Sequence, residues 1–265
     1  MTVRLPPAPR GLGGGGGSIR RGGGEAGSRS PLRPCLPQLM FNGAADFDQD
    51  VNAWDVGSAT TLNQMFLSAS AFNQSLNSWN VAKVTDMAGV FKTATLFSKE
   101  IGSWNTAKVT TMASMFEGAA TFQQNLNDWD VGKVTTMNSM FKGAAVFNAP
   151  LSAWNVAKVA DAASMFSTAT ATATLFNQDL SAWDVGTNNG AALDPVVADY
   201  GIVALAPGDA TKFTDMFKGT SMSNCNKKAI HNKFEASPRS LNVDFNGATE
   251  DENAVTQDWS FPDGC

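Results

Sequence analysis

The chain has 265 residues, of which 43% are hydrophobic and 16% are charged, and its formal net charge is −5. This length and composition allow one or two domains with a sizeable buried core. Residues 1–37 carry six arginines and a single glutamate, so the remainder of the chain has a charge of −10 and lacks the broad basic surface of a nucleic-acid-binding protein. We therefore expect no nucleic-acid partner.

Residues 1–37 are rich in glycine, proline and arginine, with an unbroken glycine run from Gly13 to Gly17. A segment of this composition buries too little apolar surface to offset the entropy lost on ordering, so we expect it to be disordered. It has no apolar core of a secretory signal, and its arginine-rich, acid-poor character is loosely similar to that of an organelle transit peptide. No stretch of the sequence reaches the ~20 apolar residues that span a bilayer.

A period of 25 residues begins at residue 40 and identifies a tandem repeat. A Met-Phe or Val-Phe pair recurs at this spacing at Met40-Phe41, Met65-Phe66, Val90-Phe91, Met115-Phe116, Met140-Phe141 and Met165-Phe166. Tryptophans recur at Trp54, Trp79, Trp104, Trp129 and Trp154, and Trp183 follows 29 residues later because four extra residues fall in the Thr/Ala run at 168–174. An aromatic column lies at Phe47, Phe72, Phe97, Phe122, Phe147 and Phe176.

One repeat fits neither a strand period nor a helix period throughout. The pattern predicts a short strand over Phe72–Leu76, a turn-rich arc over 77–83, and a short helix over 87–94 with Thr85 as its N-cap. Such a unit cannot close a core alone, but stacked copies bury one another's Phe, Trp and Met side chains at a spacing of roughly 4.8 Å. The sequence therefore predicts an α/β repeat solenoid over residues 38–265.

Two polar columns accompany the aromatic ones. An Asp or Asn follows each tryptophan, where its short side chain can bond its own backbone in an Asx turn; these residues are Asp55, Asn80, Asn105, Asp130, Asn155 and Asp184. A second polar column follows the phenylalanines, and we expect it to form a hydrogen-bond ladder between coils; its members are Asp48, Asn73, Ser98, Gln123, Asn148 and Asn177.

The repeat resembles that of the BspA-like leucine-rich-repeat surface proteins and a related repeat of unknown function in mycoplasma lipoproteins. The residues that carry the resemblance are Phe72-Asn73-Gln74, Trp79-Asn80-Val81, Val84-Thr85-Asp86-Met87, Phe91, Phe176 to Leu180 and Trp183-Asp184-Val185. It covers residues 40–186 and resumes at 213–217. The resemblance implies a right-handed, leucine-rich-repeat-like solenoid, here of about seven coils, without catalytic residues. It also implies an extracellular or cell-surface location, although no signal peptide, lipobox or wall anchor is recognisable.

The C-terminal part departs from the repeat. Residues 187–209 form an insertion that contains the only tyrosine, Tyr200, and insertions in repeat proteins often lie on a binding face; alternatively, this one merely covers the core beside it. Residues 217–265 are similar to the family's terminal segment, which would cap the last coil. Cys225 and Cys265 flank this segment and are a candidate disulfide if the chain is exported.

A column of lysines is the main candidate binding site: Lys83, Lys108, Lys133 and Lys158. Stacked coils would align these ammonium groups into a basic stripe for an anionic glycan. The alternative is a solvated column whose charge is offset by nearby Asp86 and Asp161, and which discourages edge pairing.

Metal and catalytic signatures are weak. Asp46, Asp48 and Asp50 alternate like the start of a calcium loop, but the glycine and glutamate that an EF-hand requires are missing. His231 is the only histidine and has no recognisable partner motif, and no nucleotide-binding loop occurs. We expect no cofactor, no metal and no enzymatic activity.

The sequence favours a binding module for an unknown protein or an anionic glycan. The alternatives are an intracellular protein–protein interaction scaffold and, less favoured, a hydrolase that uses a carboxylate pair.

Overall fold

The computed structural model describes residues 38–168 and 174–183, together with nine positions between Met216 and Ile230. The segment 1–37, the insertion 187–209 with Tyr200, and Cys265 lie outside the described residues. The described residues therefore comprise the repeats and a part of the C-terminal segment.

Successive repeats pair through parallel backbone bridges. The paired residues are Thr61 with Asp86, Asp86 with Thr111, Thr111 with Thr136, Thr136 with Asp161, and Thr174 with Thr220. Within the first four pairs the partners are 25 residues apart, so each repeat contacts the next in the same register. Each of these bridges is short, and in the described part of the chain the helical residues are Cys225, Asn226, Ala229 and Ile230.

The strand predicted over Phe72–Leu76 has no regular secondary structure, and the helix predicted over 87–94 is instead a series of turns. A helix would direct each amide to the carbonyl four residues earlier. Here alternate amides cross to the following repeat, from Met87, Gly89, Phe91 and Thr93 to the carbonyls of Thr111, Ala113, Met115 and Glu117, at 2.6–3.1 Å. The amides between them bond within the repeat: Val90 and Lys92 donate to the carbonyls three residues back, at 3.4 and 3.1 Å, and Ala88 donates to the side chain of Asp86 at 2.8 Å.

This alternation depends on a left-handed backbone at two positions of each repeat, with φ between 53° and 75°. The first position is occupied by Leu39, Gln64, Gly89, Ser114, Ser139 and Ser164, and the second by Gly43, Ser68, Thr93, Gly118 and Gly143. Non-glycine residues adopt this conformation at a cost of roughly 1–2 kcal/mol because their Cβ crowds the following carbonyl. The contacts between repeats must therefore outweigh a recurring local strain.

Replacing Ser139 by glycine should relieve that strain. We expect Ser139→Gly to raise the free energy of unfolding by up to about 1 kcal/mol, because the Cβ clash of the left-handed conformation disappears. Ser103 has no positive φ, so Ser103→Gly is the matched control and should lower stability by about 0.5 kcal/mol through chain entropy. Urea denaturation of both variants measures the difference; equal destabilisation by the two would contradict the assignment of strain.

The aromatic residues form continuous columns through the repeats. Rings at equivalent positions stack on one another, with centroid distances of 5.6 Å for Phe91–Phe116, 6.0 Å for Phe97–Phe122 and 6.3 Å for Trp104–Trp129. Within each repeat the two phenylalanines are closer still, at 3.9 Å for Phe91–Phe97. The column residues with 4% exposure or less are Phe72, Trp79, Phe97, Trp104, Phe122, Trp129, Phe147, Trp154, Phe176 and Trp183.

Each of the five tryptophans from Trp79 to Trp183 also donates its indole N–H to the preceding repeat. The acceptors are the backbone carbonyls of the aliphatic column, in the pairs Trp79–Val51, Trp104–Leu76, Trp129–Ile101, Trp154–Leu126 and Trp183–Leu151, at 2.8–3.2 Å. Trp54 belongs to the first described repeat, and its Nε1 is buried without a hydrogen-bond partner. The neighbouring repeat therefore provides a hydrogen-bond acceptor that a single repeat lacks.

Two tryptophan substitutions separate the contribution of this hydrogen bond to stability from that of ring packing. We expect Trp104→Phe to cost about 1–3 kcal/mol more than Trp54→Phe, because it leaves the buried carbonyl of Leu76 without its donor. Trp54→Phe removes an N–H that has no acceptor in the repeats, so its effect on the repeats is mainly the loss of buried ring area. Guanidinium denaturation gives both values, and equal losses of stability would argue against a role for the indole bond.

Candidate functional site

The lysine column lies on the outer side of the bridged segments. Lys83, Lys108, Lys133 and Lys158 are all exposed, and each precedes a buried valine and then, in the first three repeats, an exposed threonine. Side chains alternate between the two faces of an extended segment, so lysine and threonine share the outward face. Since the backbone bridges keep the repeats in register, the lysines follow one another at one repeat spacing, roughly 4.8 Å.

The threonines beside the lysines bond along the column. The hydroxyl of Thr85 donates to the carbonyl of Thr60 at 3.1 Å, that of Thr110 to Thr85 at 3.0 Å, and that of Thr135 to Thr110 at 3.2 Å. The amides of the same three threonines donate to the same carbonyls at 2.8–2.9 Å. This doubled bonding holds the backbone of the face in a regular array.

None of the four column lysines forms an ion pair within the described ranges, where Lys92–Glu117 is paired at 2.8 Å. The two aspartates expected to offset the column form no ion pair with its lysines within the described ranges, and their carboxylates accept from amide groups. Asp86 accepts from the amide of Ala88 at 2.8 Å and from the side chain of Asn63 at 3.1 Å, and Asp161 accepts from the amide of Ala163 at 3.0 Å. The ammonium groups of the column are therefore available to an external anion.

The polar residue after each tryptophan closes an Asx turn. Its side-chain oxygen accepts from the amide two residues later in the pairs Asp55–Gly57, Asn80–Ala82, Asn105–Ala107, Asp130–Gly132 and Asn155–Ala157, at 2.9–3.2 Å. This confirms the prediction for these five residues, while Asp184 lies outside the described residues. These side chains are committed to the local turn.

The residue after each phenylalanine forms the predicted ladder in three steps of the repeat array. Side-chain oxygens of Asp48, Asn73 and Asn148 accept from the backbone amides of Asn73, Ser98 and Asn177. The next residue adds a rung that the sequence interpretation missed: the amide groups of Gln74, Gln124 and Gln178 donate to the carbonyls of Asp48, Ser98 and Asn148. The recurring Phe-Asn-Gln triplet was the available signal.

The aspartates that alternate like a calcium loop bond to the protein itself. Asp48 accepts from the amide of Asn73 and from Gln74, and Asp50 accepts from the amide of Asn52 at 2.8 Å. In the part of the chain that the structure describes, no three His, Cys, Asp or Glu side chains are grouped so as to hold a metal ion.

Cys225 is disulfide-bonded. Cys265, the partner that the sequence suggests, lies outside the described residues, so that pairing stays a prediction. His231 and Tyr200 also lie outside them.

A family model of mycoplasma proteins of unknown function, DUF285, matches residues 38–108 and again residues 91–192. The two matches together cover more than half of the chain. The chain belongs to the DUF285 family. Two overlapping matches within one stretch agree with a tandem repeat and confirm the resemblance to the mycoplasma repeat, whereas the likeness to BspA-like surface proteins stays a prediction.

No curated protein matches the chain, and no solved structure matches it. Across the described residues no helix combines the length and apolar character that crossing a membrane requires. The DUF285 repeats are therefore interpreted from their own geometry.

Proposed function

We propose that this DUF285 protein is a non-catalytic binding module that recognises an anionic glycan or a protein at a cell surface or outside the cell. In this proposal the repeats form a right-handed, leucine-rich-repeat-like solenoid of about seven coils. The observation that carries it is the column of four exposed lysines, none of them ion-paired with another described residue, on a face whose backbone is held by threonine bonding.

The spacing of the lysines favours an extended polyanion. Three repeat steps between Lys83 and Lys158 span about 14 Å along the stack, which suits several successive charged groups of a sulfated or uronic polysaccharide. A compact anion would meet only one or two of these lysines. The backbone of the face is held by the threonine bonds before binding, so association orders the lysine side chains but not the chain that carries them.

A binding role rather than catalysis is supported by how the polar side chains are used. The hydroxyls of Thr85, Thr110 and Thr135 donate to backbone carbonyls, and the carboxylates of Asp86 and Asp161 accept from backbone amides. A nucleophile needs a base placed to take its proton. These hydroxyls and carboxylates instead form hydrogen bonds that stabilise the backbone of the repeats.

The alternative is an intracellular scaffold for protein–protein interactions. The disulfide at Cys225 favours the extracellular proposal, since disulfides persist mainly in oxidising compartments.

Charge reversal within the column tests the proposal. We expect Lys108→Glu with Lys133→Glu to abolish salt-sensitive retention on a sulfated polysaccharide resin, because the two central charges of the stripe change sign. The control is Lys99→Glu with Lys142→Glu, which alters the net charge equally but lies off the column. The salt concentration at elution measures the effect. Unchanged retention of the column variant, or an equal loss in the control, would overturn the polyanion proposal.

A further inference from the structure

The N-terminal end of the repeat array is left uncovered by the described residues. Leu39 is 50% exposed and Met40 is 37% exposed, and Phe41, Phe47 and Trp54 are only partly buried. In the second repeat the residues equivalent to Met40, Phe41, Phe47 and Trp54 are buried, with Met65, Phe66 and Phe72 at 0% and Trp79 at 4%. The first repeat thus presents an aromatic and aliphatic face without a neighbour. We call this surface, formed by Leu39, Met40, Phe41, Phe47 and Trp54, the N-terminal face.

Unpaired backbone donors border the N-terminal face. In the second repeat the amides of Ala71 and Thr85 donate to Ala45 and Thr60 of the repeat before. The equivalent amides of the first repeat, those of Asp46 and Thr60, have no acceptor among the described residues. The buried indole N–H of Trp54 lacks one as well. The edge therefore suits an extended segment that offers backbone carbonyls.

The opposite end of the array is already covered. Phe217 stacks on Phe166 at 5.6 Å, and the amide of Ser223 and the side chain of Asn226 both donate to Asn177, at 2.7 and 3.1 Å. Trp183 at that end is 1% exposed. Two buried side-chain atoms of the described residues lack a hydrogen-bond partner: the indole nitrogen of Trp54, which belongs to the N-terminal face, and the hydroxyl of Thr174, which does not.

Charge distinguishes the first repeat from the others. Residues 38–62 contain four aspartates, Asp46, Asp48, Asp50 and Asp55, all exposed, and no lysine, arginine or histidine. Each of the next four repeats carries at least one lysine. The N-terminal face is therefore aromatic at its centre and acidic at its rim.

Arginine fits such a surface better than any other side chain. Its guanidinium group pairs with carboxylates through two parallel hydrogen bonds and stacks on aromatic rings. The sequence directly preceding Gln38 has this chemistry: residues 1–37 carry six arginines, one glutamate and several leucines, and are covalently attached beside the face.

We propose that the arginine-rich segment 1–37 binds the N-terminal face of its own chain and caps the repeat array. Covalent attachment makes this an intramolecular contact with a high effective concentration. The composition of the segment gives it no core of its own, so its ordering depends on this surface. A second copy of the chain is disfavoured as the occupant, because two rims of four aspartates would repel each other.

Proton exchange at the three unpaired donors tests the cap in the full-length protein. We expect the amides of Asp46 and Thr60 and the indole N–H of Trp54, followed by NMR, to be protected at low salt. Asp50→Asn with Asp55→Asn should reduce that protection about fivefold, given the strength of exposed ion pairs. Asn125 and Asn80 occupy the same two repeat positions, so the variant should fold.

The control neutralises the equivalent positions of later repeats, Asp179→Asn with Asp130→Asn, and should leave the three protons protected. Replacing all six arginines of residues 1–37 by glutamine should reproduce the loss of protection, as should raising the salt concentration, which screens exposed charges. The proposal is overturned if the three protons exchange freely in the unaltered chain, or if neutralising either partner has no effect. Protection that rises with protein concentration and with salt would overturn it too, in favour of a second copy.

Discussion

The indole N–H of each of the five tryptophans from Trp79 to Trp183 donates to a backbone carbonyl of the preceding repeat. Rings at equivalent positions of neighbouring repeats stack on one another. Alternate backbone amides of the turn segment donate to carbonyls of the next repeat. An unpaired buried polar group costs about 1–3 kcal/mol, so a repeat without its neighbour would lose several such contributions at once. The array is therefore held by contacts between repeats.

The dependence of each repeat on its neighbour explains why exposed side chains form columns and why the two ends of the array differ. Because the register repeats, any exposed side chain placed once per repeat becomes a column, as with Lys83 to Lys158. Register follows from the contacts rather than from chain length: Trp183 still bonds Leu151 at 2.8 Å, although the chain between them has four additional residues. At the N-terminal end the indole of Trp54 has no acceptor among the described residues, whereas at the other end Phe217 stacks on Phe166 and continues the aromatic column.

Much of this arrangement follows from the sequence. The aromatic columns and the Asx residues recur at one spacing, and the physical roles of Asn80 and Asp130 follow from their short side chains. The turns over residues 87–94 could not be predicted from the sequence, because apolar residues at 87, 90, 91 and 94 also fit the spacing of a helix. Left-handed conformations at Gln64, Ser114 and Ser139 exclude that helix, and these residue types give no local signal for them. The Lys92–Glu117 pair lies at one repeat position, which Leu67, Lys92, Glu117 and Lys142 occupy in successive repeats. Its opposite charges one repeat apart are a signal that the sequence interpretation missed.

The dependence of folding on repeat number tests this account most directly. Peptides of one, two, three and four repeats, beginning at residue 63, would be compared by thermal unfolding and by tryptophan emission. The account predicts that the single copy shows no cooperative transition and water-exposed emission, and that cooperativity and burial of the indoles increase with each added copy. A cooperative melt of the single 25-residue copy would contradict it.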